Sequence, residues 1–85
     1  MSKKEKLIKR FLEVPKDFEY PELVKVLSYF GYEEFTGGKT SGSAVRFVNP
    51  ETKDIINIHK PHPEKTVKQY SIRDAINKLR EEGKI

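Results

Sequence analysis

The groups in this chain best suited to moving protons are its two histidines, which stand close together in His59-Lys60-Pro61-His62. Histidine's ordinary pKa lies near neutrality, so an imidazole can take and return a proton under physiological conditions. Cutting RNA without a metal requires a base for the 2′-hydroxyl, an acid for the leaving oxygen and cations beside the phosphorane. His59 and His62 suit the first two roles, and Arg46 or Lys60 the third. The competing reading leaves His59 as a polar strand-end residue and His62 as a turn residue between Pro61 and Pro63. A metal site would need Asp54 or Glu64 to complete the pair of histidines, since the chain has no cysteine, and none is expected.

Two other constellations fail on spacing. Gly38-Lys39-Thr40 resembles the end of a phosphate-binding loop, but the glycine that motif requires earlier in the loop is replaced by Glu33. Ser41 and Ser43 have no histidine with an orienting carboxylate beside them, so serine nucleophile chemistry is dropped.

The elements that must position these groups follow from periodicity. Leu7, Ile8, Phe11 and Leu12 fall at helical spacing and predict a first helix over about residues 3–13, ended by Pro15. Pro21 and Glu22 suit the first turn of a second helix, with Leu23, Val24, Leu27 and Phe30 as its buried stripe and Gly31 as its cap. Tyr32 to Phe35 reads as a short strand, and the three glycines of residues 36–42 as a loop. Ser43 to Val48 and Asp54 to His59 alternate in polarity and flank the turn residues Asn49-Pro50-Glu51-Thr52-Lys53, so they predict a hairpin. Alternation puts Val45, Phe47, Ile56 and Ile58 on one face and Arg46, Asn57 and His59 on the other. The last helix is expected to start near Ser71 with Asp74 as a capping partner, to bury Ile72, Ala75, Ile76 and Leu79, and to stop at Gly83.

The expected class is therefore α+β: a three-stranded antiparallel sheet with helices on one face, in the order α-α-β-β-β-α. The expected core is Val45, Phe47, Ile56, Ile58, Leu23, Leu27, Phe30, Ile72, Ile76 and Leu79.

At 85 residues the chain is read as one domain, with five Phe and four Tyr to build a modest core. The absence of cysteine excludes disulfides and thiolate chemistry and points to the cytoplasm. The basic start is interrupted by Lys9, Arg10, Glu13 and Lys16, so neither an export signal nor a membrane span is expected. Net charge is +4, and the excess lies between residues 39 and 73. There Lys39, Arg46, Lys53, Lys60, Lys65, Lys68 and Arg73 outnumber Glu51, Asp54 and Glu64. Such a block favours a polyanion, because each phosphate neutralised releases condensed counterions. Lys39, Arg46, Lys60, Lys65 and Lys68 are the expected RNA contacts; the competing reading is a solvated lysine surface.

The run Phe18-Glu19-Tyr20-Pro21-Glu22-Leu23-Val24-Lys25-Val26-Leu27, then Phe30-Gly31-Tyr32, Gly42-Ser43, Arg46-Phe47, His62-Pro63 and a closing amphipathic helix resembles the HicA toxin family. The resemblance spans roughly residues 18–82 and implies a fold similar to a double-stranded-RNA-binding domain. It further implies a messenger-RNA-cutting toxin that needs no cofactor and is neutralised by a HicB-like antitoxin. Gly42, Ser43, His62 and Pro63 carry over residue by residue. Directly after Gly-Ser, where the family has its catalytic histidine, this sequence has Ala44, so that histidine does not carry over. The runner-up is accordingly a non-catalytic RNA-binding or protein-interaction domain of the same fold. The first helix lies outside the short form of the pattern.

Overall fold

The computed structural model describes residues 2–35, 44–59 and 65–85. Their elements run α1 (Lys3–Leu12), α2 (Tyr20–Tyr29), β1 (Glu33–Phe35), β2 (Ala44–Val48), β3 (Ile55–His59) and α3 (Gln69–Glu81). The strands form one antiparallel sheet in the order β1-β2-β3. The helices cover one face of it, the α+β arrangement of a double-stranded-RNA-binding-domain-like fold.

Local chemistry sets the helix ends. Ser2 Oγ accepts the Glu5 N–H at 3.2 Å to open α1, and Glu22 reaches back to the Glu19 N–H at 2.9 Å to open α2. Gly31, at φ +90°, closes α2: its N–H donates to Ser28 and that of Tyr32 to Leu27 at 2.9 Å, leaving Tyr32 outside β1. After α1 the chain turns through Val14 at φ +52°, a region that β-branched residues avoid. Two hydrogen bonds hold it there, from the Val14 N–H to Phe11 and from Gln69 Nε2 to the Val14 carbonyl at 2.9 Å.

The sheet's inner face supplies Phe47, Ile56 and Ile58 to the core, as alternation predicts, with Val45 half-buried. Leu23, Leu27, Ile72, Ile76 and Leu79 join them from the helices, with Ala75. Two expectations change. The buried stripe of α2 is Leu23, Val26 and Leu27, with Val24 and Phe30 only packed against the core's margin. The core also takes Phe11, Phe18, Tyr32 and Val67, because α1 packs on α2 and brings the Phe11 ring within 5.8 Å of Phe18.

The start of α3 also departs from expectation. Residues 65–67 pair antiparallel with 18–20, through Tyr20 N–H to Lys65 at 2.9 Å and Val67 N–H to Phe18 at 2.8 Å. This fixes the chain up to Val67, so the helix begins at Gln69 with Lys68 as its N-cap. Ser71 lies buried inside the first turn and caps nothing.

Truncating Phe47 to Ala is expected to cost about 3 to 5 kcal/mol by urea denaturation, while Ile55→Ala on the exposed face costs about 1 kcal/mol or less. The reverse order of losses would mean that the strand faces are exchanged.

Candidate nucleic-acid interface

The face of the sheet turned away from the helices is open. Glu33, Phe35, Arg46, Ile55, Asn57 and His59 are exposed on it and Val48 is half-buried. Register sorts these positions into rows across the strands. Glu33, Val48 and Ile55 make the first, Phe35, Arg46 and Asn57 the second, and Ala44 and His59 the third. Directly opposed residues of antiparallel strands hold their Cβ atoms about 4.5 to 5.5 Å apart, and successive rows lie roughly 6.7 Å along the strands. His59 is therefore the cross-strand neighbour of position 44, and Arg46 its diagonal neighbour.

The β2–β3 turn that fixes this register is built on Asn49, which is buried. Its Oδ1 accepts the N–H groups of Glu51 at 3.0 Å and Thr52 at 3.2 Å. Its backbone N–H donates to Asp54 at 2.9 Å, and Lys53 turns the chain at φ +67°. The Thr52 hydroxyl, 2.6 Å from Asp54 Oδ2, holds the Asp54 carboxyl below its ordinary pKa.

Of the residues expected to form the site, Arg46 and His59 share the open face. Lys65 and Lys68 are exposed on a different element, the segment that pairs with residues 18–20 and opens α3. Lys39, Gly42, Ser43, Lys60 and His62 lie outside the described residues.

Sequence reasoning missed one polar pair beside this face. Glu34 points from β1 to the helix side, half-buried, and accepts a hydrogen bond from the Tyr20 hydroxyl. Burial, then the bond to Glu34 and its negative charge, push the Tyr20 pKa well above its ordinary value. Tyr20 also lies 6.4 Å from the Phe47 ring, so the pair ties α2 to β1 and β2. An inward acidic residue on a strand is a signal that a partner is present, but in a three-residue strand it is easily overlooked. Phe35, exposed at the end of β1 after two acidic residues, was also not singled out.

A family model described as the HicA toxin of bacterial toxin-antitoxin matches residues 20–80. The chain belongs to the HicA toxin family. The matched span covers nearly all of α2, β1, β2, β3 and α3, and leaves α1 outside the HicA pattern. Membership in a toxin–antitoxin family implies an antitoxin partner. Neither a curated protein nor a solved structure matches the chain. No described helix is long and apolar enough to cross a membrane.

The folded chain keeps the Tyr20 proton that the unfolded chain gives up above about pH 10. Its contribution to stability is thus intact below that pH and is lost as pH rises beyond it. Thermal melts of Tyr20→Phe are expected to lose less Tm than wild type between about pH 9 and 11. At neutral pH the variant is less stable by about 1 kcal/mol, because Glu34 loses a donor. Equal alkaline losses in both proteins would contradict the role given to Tyr20.

Proposed function

We propose that this HicA-family chain, folding as one unit over residues 1–85, is a toxin that binds and cleaves messenger RNA in the cytoplasm. A HicB-like antitoxin neutralises it. The observation that carries the reading is the pairing of Ala44 with His59. The family's histidine after Gly-Ser falls on position 44, and an exposed imidazole stands across the strand from that position. His59 can thus offer from β3 the proton chemistry that β2 lacks.

In this mechanism His59 takes the proton from a 2′-hydroxyl, whose oxygen attacks the adjacent phosphorus. His62, which follows β3 in sequence, protonates the departing 5′-oxygen. Arg46, diagonal to His59, offsets charge on the phosphorane, with Lys39, Lys60, Lys65 and Lys68 holding the chain of phosphates and Gly42-Ser43, directly before β2 in sequence, contacting the RNA. The P–O bond to the 2′-oxygen forms as the bond to the 5′-oxygen breaks, leaving a 2′,3′-cyclic phosphate and a 5′-hydroxyl. These roles need no metal or cofactor.

The presence of Ala44 favours a second reading, a binding module that has lost catalysis and acts through RNA or protein contacts.

The purified chain, incubated with a structured messenger RNA and a chelator, is expected to yield fragments ending in 2′,3′-cyclic phosphate. His59→Ala should slow this by about 10² to 10⁴-fold, and adding Ala44→His to that variant should restore part of the rate. Undiminished cleavage by His59→Ala would remove His59 from the mechanism, and inhibition by the chelator would reject the metal-free route. RNA binding with no cleavage by wild type would establish the second reading instead.

A further inference from the structure

We propose that the open face of the sheet is a stacking platform for single-stranded RNA, with Phe35 taking a base and Arg46 the adjoining sugar-phosphate chain. The inference rests on the RNA-binding reading above and adds the state in which the RNA is bound.

The second row across the face is an aromatic, a guanidinium and an amide: Phe35, Arg46 and Asn57 on three neighbouring strands. Phe35 is 46% exposed and Ile55, one row away, is 41% exposed. A phenyl ring half in water offers a flat apolar surface, and every base has a π-face to stack on it. Arg46 is exposed and makes no ion pair among the described residues, so its charge is available to a phosphate or to a base plane. Asn57, with a donor and an acceptor, can address a base edge.

The face is graded along the strands. At one end Glu33 stands with Val48 and Ile55; at the other His59 stands beside position 44. Lys53 lies beside Glu33 at the first end, and Arg46, the only Lys or Arg within the strands, offers a phosphate its charge at the middle of the face. A base on Phe35 directs its backbone toward Arg46 in the same row, with His59 one row of roughly 6.7 Å further on.

A duplex does not fit these groups. Its bases are stacked on one another, and it offers proteins phosphates and 2′-hydroxyls across a shallow groove. Reading it takes an array of cations, and Arg46 is the only Lys or Arg in the three strands. A protein partner could also use an arginine beside an aromatic, and the test below separates that occupant from RNA.

The test is fluorescence anisotropy of the full chain with a short fluorescein-labelled oligouridine and with an RNA duplex of about 16 base pairs. The oligouridine is expected to bind more tightly than the duplex. Phe35→Ala should weaken it by about tenfold or more while Phe35→Trp retains it, with circular dichroism showing all three proteins folded. If the duplex binds more tightly and Phe35→Ala changes nothing, the platform is overturned while the RNA-binding reading stands. If neither RNA binds the folded wild type, both fall. A wild-type dimer that Phe35→Ala converts to monomer in sedimentation, with oligouridine affinity unchanged, would assign the face to a protein and overturn the inference.

Discussion

The register of β2 against β3 depends on Asn49, whose side chain and backbone together accept or donate most of the hydrogen bonds of the turn between them. A slip of one residue would turn every side chain of a strand to the opposite face. Phe47 or the pair Ile56 and Ile58 would then meet water, and Arg46 or His59 would be pressed into the core without partners. The turn is anchored from below by α2. A Cβ at Gly31 would come within 3.1 Å of Asn49 Nδ2, so the glycine that ends the helix also makes room for the amide that sets the hairpin. One contact thus connects helix termination, strand register and the composition of the exposed face.

The helix layer holds the sheet from the other side, and its attachments converge on the start of α2. Residues 18–20 pair with 65–67, Tyr20 reaches Glu34 on β1, and its ring lies beside Phe47 on β2. Arg10 of α1 adds an ion pair to Asp17 at 2.9 Å and lies over the Phe18 ring, 5.2 Å from its centroid. Exposed ion pairs of this kind contribute little to stability. Their effect is to seat α1, which belongs to no part of the HicA match, against the family fold.

Much of this was legible in the sequence where the information is local. The alternation of Val45-Arg46-Phe47 and Ile56-Asn57-Ile58-His59 specified both faces of the hairpin, and Gly31 marked the end of α2. What depends on contacts between distant segments was not legible. Phe18 lies in a stretch with no periodicity, and it is buried only because α1 and residues 65–67 close over it. The same pairing moved the start of α3 ahead of Ser71, whose sequence context resembled a cap. In the candidate site, Arg46, Asn57 and His59 could be assigned to one face from alternation alone. Which residue each faces across the strands could not, because register is set by how many residues the Asn49 turn consumes. The relation of His59 to position 44 and the row joining Phe35 to Arg46 emerge only from the pairing.

The functional account therefore rests on a surface rather than on a motif. In the proposed reading, position 44 is where the family's histidine would fall and holds alanine here, and His59 stands across the strand from it, on the same face as Arg46. The most direct measurement is a titration of the isotopically labelled chain with short single-stranded RNA, following its backbone amides by NMR. The account predicts that the shifts concentrate in residues 33–35, 44–48 and 55–59, with His59 among them, while α1 and the outer surface of α3 stay unchanged. Shifts confined to α1 and α3, with the strands unaffected, would contradict it.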